Sequence, residues 1–356
     1  MNSLTQDIKA ISSVFDKYSS KTDEIGLYII TAEEQKDFVE TVDIKPETTD
    51  YIDRLRKLSN SVVLYNAAII SIYGSYELFL DEILKAYIGY LKKRYPEYAE
   101  FPDRLKRKHM QKGAEFLTNP QRYTNMGFSE QKIISALEAS CIQGQSLVLI
   151  DELLISHGGN LKSKQFIELL QECGFSDPIP QLLNHVSFGV LCLNDGPIYS
   201  DATGVFPVLD QLVEERNKVG HGWIIENRLS FSLLRETTLR FFVELCRAVK
   251  DMIVSQIIQD YIADNYIEPF DPIIHVWNDG YIVGINSKNF KLKVDESLFF
   301  STGNNWNYPL QIKNIQKDNI DRKEIRSQNV EVALQTDKRI KQNYTLYGFV
   351  RKQEET

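Results

Sequence analysis

Apolar side chains recur at Leu55, Leu58, Val62, Tyr65, Ile69, Ile72, Tyr76, Leu80, Ile83, Leu84, Tyr87 and Leu91, in steps of three and four. That spacing keeps one face of an α-helix apolar. No proline interrupts it between Pro46 and Pro96, and Thr48, Thr49 and Asp50 supply start signals. The pattern predicts a helix of about 45 residues, about 65 Å long at its ordinary rise, or two helices with a kink at Gly74. A helix of that length needs partners along it, from its own chain or from a second subunit.

Shorter helical patterns cover residues 4–17, 128–157 and 163–172, with Gly158-Gly159 and Gly174 as stops. Leu27-Tyr28-Ile29-Ile30 reads as irregular or strand-like, and residues 176–180 and 194–197 read as loops. Pro207 opens a helix that runs into Arg216. Residues 230–261 form a long amphipathic helix through Leu233, Leu234, Leu239, Phe242, Leu245, Val249, Ile253 and Ile257. After Glu268-Pro269-Phe270-Asp271-Pro272 the period drops to two. Residues 273–277 and 281–285 flank Asn278-Asp279-Gly280, the signature of a hairpin with a primed turn. Further strands are expected at 290–294, 310–315, 330–334 and 344–350. The chain therefore reads as mainly α with a small C-terminal β domain (α+β overall): an N-terminal arm at 1–47, a helical domain at 48–265 and a β domain at 266–356.

Composition narrows the class. A hydrophobic fraction of 43% and a charged fraction of 25% over 356 residues are those of an ordinary globular protein. Cys141, Cys173, Cys192 and Cys246 are spread without CxxC spacing and read as reduced core residues. The apolar run 62–73 is too short to span a bilayer, and the first residues lack the blocks of a signal peptide. A cytoplasmic protein without membrane contact is the expectation. A net charge of −8 argues against wholesale coating of nucleic acid, yet residues 92–112 carry eight Lys/Arg against Glu97, Glu100 and Asp103. That run is a solvated face or a phosphate-binding surface. On the second reading Arg104, Lys106, Arg107 and Lys108, with Lys218 further on, contact an RNA backbone.

The candidate chemistry lies in Arg216-Asn217-Lys218-Val219-Gly220-His221. A permanent guanidinium suits phosphate, and a histidine exchanges protons at cellular pH. Asn217 and His221 share a helical face, whereas Arg216 lies about 140° round from His221. Gly220 and Gly222 let the backbone leave the helix and swing the imidazole back. Such a pair supports attack of an RNA 2′-OH on the adjacent phosphate: His221 moves the proton and Arg216 neutralises the growing charge. The nucleophile belongs to the RNA, so no cofactor and no metal are called for. The bland alternative is a helix C-terminus, with Lys218 and His221 complementing the dipole, Gly220 as a left-handed cap and Arg216 paired to Glu214 or Glu215. Glu77 either orients Arg216 or His221 or is a solvated helix edge beside Lys85; Asp81 shares its face. His109 and His157 read as surface and helix-end residues, and His185 and His275 as core groups. No histidine or cysteine pair has metal-ligand spacing.

The long helix with Tyr76-Glu77 near its middle, followed downstream by Leu212-Val213-x-x-Arg216-Asn217-x-x-x-His221-Gly222, resembles the HEPN superfamily. His157-Gly158-Gly159-Asn160-Leu161 is similar to a bacterial subgroup from toxin and phage-defence loci. The resemblance covers roughly residues 50–262, with Gly220 where many members carry a bulkier apolar residue. It implies a helical bundle, a homodimer that joins two motifs in one cleft, and metal-independent RNA cleavage leaving 2′,3′-cyclic phosphate. Arg216, Asn217 and His221 match the motif, with Glu77 in support. Such an activity needs restraint, by a regulatory or antitoxin partner or by the 1–47 arm or the β domain acting as a gate. The aromatics of the β domain form its core, a stacking platform for RNA, or a docking face. From a different class, a non-catalytic helical adaptor or nucleotide-binding protein is the second reading.

Overall fold

A computed structural model describes residues 3–41, 49–59, 62–119, 129–141, 148–157, 160–194, 206–222, 225, 227–288, 290–302, 306–326 and 329–350. Twelve α-helices run in order through them: α1 (Ser3–Thr41), α2 (Thr49–Ser59), α3 (Val62–Arg94), α4 (Asp103–Thr118), α5 (Glu130–Cys141), α6 (Asp151–Ile155), α7 (Ser163–Glu172), α8 (Pro178–Leu183), α9 (Val186–Asn194), α10 (Pro207–Gly220), α11 (Phe231–Leu233) and α12 (Arg240–Ala263). A π-helical turn, Leu234–Leu239, links the last two. The class is mainly α with a small C-terminal antiparallel sheet. The chain divides into two compact units, residues 10–250 and residues 1–9 with 251–356.

The larger unit is built on α3. Its aromatic and branched positions Tyr65, Ile69, Ile72, Tyr73, Tyr76, Phe79, Leu80, Ile83, Leu84, Tyr87 and Ile88 are all buried. Tyr76 meets the Phe242 ring edge-on at 5.0 Å, and Phe241, Phe188 and Phe206 continue the aromatic core. By length and composition α3 could cross a membrane; one side of it is buried in the bundle, while Val63, Ile70 and Leu78 stay exposed. In place of two halves meeting at Gly74, α3 is one uninterrupted helix through Gly74, preceded by the separate helix α2.

Residues 3–41 form one helix, and this corrects the expectation of a strand-like stretch at 27–30. Local β-propensity there loses to helical periodicity. Ile25, Ile29 and Ala32 are buried in steps of four and three, while Leu27 is 65% exposed. Tyr18 on the same helix sits 4.9 Å from Phe79 of α3, and Lys17 pairs with Glu82 at 2.6 Å. From Ala10 onward α1 is thus part of the bundle.

Two further expectations fail. His109 is fully buried beside Tyr98, not on the surface, because only one side of basic α4 faces out. His275 is exposed, its ring tilted against Trp277 with centroids 4.4 Å apart, rather than in a core. His185 is buried, with Nδ1 accepting from the Phe188 amide at 3.3 Å. Cys173, Cys192 and Cys246 are buried thiols, and burial pushes Cys173 up to about 11 and Cys192 to about 12.

The smaller unit carries ten strands: β1 (Ile267–Pro269), β2 (His275–Trp277), β3 (Ile282–Asn286), β4 (Leu292–Lys293), β5 (Ser297–Ser301), β6 (Asn307–Lys317), β7 (Ile320–Arg322), β8 (Glu324–Ile325), β9 (Glu331–Thr336) and β10 (Thr345–Phe349). The main sheet is antiparallel in the order β1-β10-β5-β6-β9-β3-β2, with β7 on β6, and β4 pairs β8 separately. The β2–β3 turn is closed by the Tyr281 amide on the Asn278 carbonyl at 3.0 Å and places Asp279 and Gly280 at φ 53° and 95°, the left-handed pair that a primed turn requires. Strand β5 went unforeseen because Leu298, Phe299 and Phe300 are all buried, leaving no alternation to read. Phe290, Phe300 and Leu346 lie in the core of the sheet, whereas Trp277 and Tyr281 are 46% and 38% exposed.

Two glycines make a paired test. A Cβ on Gly74 meets nothing within 4 Å, so Gly74→Ala raises stability by about 0.5–1 kcal/mol. A Cβ on Gly189 would lie 2.1 Å from the Leu183 carbonyl oxygen, so Gly189→Ala loses about 1–3 kcal/mol or fails to fold. Thermal melts of both variants read the opposite signs. His109 supplies a pH test, since burial pushes it down to about 4 from the ordinary 6.5. Its contribution is complete above pH 6.5 and is lost as the pH falls towards 4, at up to about 1.4 kcal/mol per unit. Wild type therefore loses Tm more steeply than His109→Leu between pH 7 and 4.

Candidate functional site

Helix α10 begins with Phe206 in an extended conformation and Pro207 at its first turn. Its start is tied to α7: Ser163 Oγ donates to the Phe206 carbonyl at 3.0 Å, and the Ser163 amide donates to Asp210 at 2.7 Å. Val208, Leu209, Leu212 and Val213 are buried, and the helix packs against α3 and α7. At the far end the His221 amide donates to the Asn217 carbonyl at 3.0 Å. Gly222, at φ +72°, is the left-handed residue that turns the chain away; Gly220 stays helical. His221 stands exposed at this helix end.

Three consecutive charged residues of α10 go three separate ways. Glu214 pairs with Lys162 at 2.9 Å. Glu215 is buried and accepts from Tyr65 Oη at 3.0 Å and Gln211 Nε2 at 2.8 Å. Arg216, half-buried, donates from Nη1 to Asn160 Oδ1 and Asn217 Oδ1, both at 3.2 Å, and its guanidinium lies 5.0 Å from the centroid of the Tyr73 ring. The pairing of Arg216 with Glu214 or Glu215 does not occur, because both carboxylates are engaged elsewhere. Among the described residues Arg216 makes no ion pair. Two neutral amides and an aromatic face hold it while its charge stays uncancelled.

Tyr73 connects this group to Glu77. Its hydroxyl donates to Glu77 Oε1 at 3.3 Å and accepts from the Leu161 amide at 3.3 Å. Burial, followed by the Leu161 amide's opposing effect and the Glu77 charge, leaves the phenol at about 12, so it is neutral at cellular pH. His157 Nε2 lies 3.9 Å from Glu77 Oε1 and 3.8 Å from Asp81 Oδ1. Burial pushes the Asp81 carboxyl up; His157 opposes this and Glu77 adds to it. Lys85 turns to Glu152 of α6 at 2.7 Å. Glu77 therefore reaches Arg216 through the intervening phenol. Tyr73, Asn160 and His157 are the members that the motif spacing did not bring in. The one sequence signal for two of them is His157-Gly158-Gly159-Asn160-Leu161.

The basic residues are placed unequally. Lys218 is exposed on the last turn of α10. Arg104 and Arg107 are exposed on α4, lining a groove that also holds Glu168 and Glu172. Lys106 is tied to the Ala99 carbonyl at 2.8 Å and to Asp103 at 2.9 Å. Lys108 departs from the expected exposed cation: it is 4% exposed and pairs with Glu172 at 2.5 Å. Among the described residues no three His, Cys, Asp or Glu side chains are grouped to hold a metal ion.

A helical bundle around a long core helix, with a motif helix ending in Arg216-Asn217-x-x-x-His221-Gly222, is of the HEPN class. Residues 33–255 match the family described as RiboL-PSP-HEPN, and the chain belongs to that HEPN family. Comparison with curated proteins and with solved structures gave no match.

Tyr73→Phe isolates the hydroxyl's contribution. It strands the Leu161 amide and removes a donor from Glu77, so stability falls by about 1–3 kcal/mol, read by chemical denaturation.

Proposed function

We propose that this protein is a metal-independent endoribonuclease acting as a homodimer. The observation that carries the reading is the setting of Arg216: a half-buried guanidinium oriented by neutral groups, with both neighbouring carboxylates drawn off. An arginine kept in that state suits the scissile phosphate of RNA and the charge that grows on it. The ribose 2′-OH attacks the adjacent phosphorus and the 5′-oxygen leaves, producing a 2′,3′-cyclic phosphate. His221 takes the proton from the attacking hydroxyl, and the His221 of a second copy returns one to the departing oxygen. Asn217 holds Arg216, and Glu77 supports it through Tyr73. Because the attacking group belongs to the substrate, the residues alone complete the chemistry.

Support for a second copy comes from α3, where Val63, Ile70 and Leu78 are 70%, 49% and 42% exposed on the helix that carries Tyr73 and Glu77. We assign the RNA backbone to the exposed Lys218, Arg104 and Arg107, although Arg104 also donates to the Gln171 carbonyl at 3.2 Å; Lys106 and Lys108, already engaged in ion pairs, contribute less. The family assignment agrees with nuclease activity in general. A toxin or anti-phage effector in the cytoplasm, restrained by a protein partner or by the β domain, is the setting we propose. The alternative gate, the 1–47 arm, is less suited, since α1 packs against α3 through Tyr18 and Lys17.

His221 lies at a helix C-terminus, where the dipole alone favours a cation. That position favours one other reading, a non-catalytic HEPN adaptor.

The deciding experiment incubates wild type, Arg216→Ala and His221→Ala with synthetic RNA in EDTA. The endoribonuclease reading expects cleavage to 2′,3′-cyclic phosphate ends by wild type, and losses of about 10²–10⁴-fold in each variant. Equal cleavage by all three, or none by wild type in vitro and no toxicity in cells, favours the adaptor.

A further inference from the structure

Arg216, Asn160 and Asn217 form a closed ring of hydrogen bonds. Arg216 Nη1 donates to both amide oxygens, and Asn160 Nδ2 donates to Asn217 Oδ1 at 3.0 Å. The ring fixes which way each amide points, because an exchanged oxygen and nitrogen on Asn160 would set an NH₂ against the guanidinium. Asn160 comes from a segment 56 residues away in sequence, and that segment is itself anchored on both sides. His157 sits beside Glu77 and Asp81 of α3. Leu161 is fully buried and bonds Tyr73 through its amide. Lys162 then pairs with Glu214 of α10. The segment thus spans from α3 to α10 and delivers one side chain to Arg216.

We propose that Asn160 is a positioning residue that aims Arg216 at its anion, an inference that rests on the endoribonuclease reading above. A guanidinium is planar, and its donors are fixed relative to one another. With Nη1 tied to two amides and the guanidinium carbon 5.0 Å over the Tyr73 ring, the Nε–Nη2 edge has no partner among the described residues. That edge presents two parallel N–H groups, the geometry that matches two oxygens of one phosphate. The choice of an amide at position 160 follows from the same logic. A carboxylate there would orient Arg216 equally well but cancel the charge the phosphate needs. An amide orients without cancelling.

The test uses the full-length protein and the variants Asn160→Ala, Asn160→Asp, Arg216→Ala and both Asn160 changes in the Arg216→Ala background. Two readouts run in parallel: kcat and KM on a synthetic RNA, and the Kd of a non-cleavable 2′-O-methyl oligonucleotide by fluorescence anisotropy. Thermal melts check folding. The expected result is that Asn160→Asp keeps its Tm within about 2 °C of wild type yet loses about 10²-fold in kcat/KM, mainly in kcat, with Asn160→Ala intermediate. Neither change should weaken oligonucleotide binding or activity further once Arg216 is alanine, which a general structural role would not produce. Asn160→Asp within twofold of wild type in both readouts, or equal losses with and without Arg216, overturns the inference. Absence of cleavage by wild type overturns the nuclease reading alone. In that case, Asn160→Asp weakening oligonucleotide binding as far as Arg216→Ala supports the positioning role, and unchanged binding overturns it.

Discussion

The larger unit depends on enclosing α3. Its 33 residues carry branched and aromatic side chains over most of the circumference, and Tyr73, Tyr76 and Phe79 are each at most 2% exposed. A helix so apolar must be wrapped, and α1, α6, α10 and α12 supply the wrapping through Tyr18, Phe242 and the α10 stripe. Several charged groups on α3 are answered from the neighbouring helices, although the buried Asn66 Oδ1, Ser75 Oγ and Tyr76 Oη have no hydrogen-bond partner among the described residues. Glu82 meets Lys17, Lys85 meets Glu152 and Lys92 meets Asp151. Glu77 meets the Tyr73 hydroxyl and lies near His157. The candidate site lies where this wrapping presents one core aromatic, Tyr73, with its face towards a cation.

How the neighbours of that cation are disposed matters more than the cation itself. Glu214 and Glu215 precede Arg216 directly, but two and one steps away on a helix neither shares its face. Lys162 takes the first, while Tyr65 and Gln211 take the second into the interior. Burying a carboxylate is costly unless donors satisfy it, and the two bonds to Glu215 keep its oxygens satisfied and occupied. The bundle gives both carboxylates partners of their own, away from the cation. A guanidinium facing amides and a ring retains its full field for an incoming anion.

Periodicity made most of the helices legible. Residues 163–172 and the start at Pro207 were readable because their apolar steps and stop signals coincide. The strand-like reading of 27–30 failed because four apolar residues in a row mask a helix in which Ile29 turns inward and Leu27 outward. The basic run at 92–112 misled in a related way. Charge counted along a chain ignores that a helix buries one face, and Lys108 and His109 lie on it. For the site, Arg216 and Asn217 were legible as a motif, and Glu77 as a polar residue inside an apolar helix. Tyr73 and Asn160 were not, because their bonds to Leu161 and Arg216 span 88 and 56 residues and leave no spacing to count.

The ring around Arg216 also orders events during synthesis. Its parts leave the ribosome in sequence: Tyr73 first, then Asn160, and only afterwards Arg216 and Asn217 on α10. Earlier segments of a chain fold while later ones are still being made. Until α10 has been made, Tyr73 and Asn160 have no cation to hold. The oriented cation therefore exists only once α10 has docked on α3 and α7.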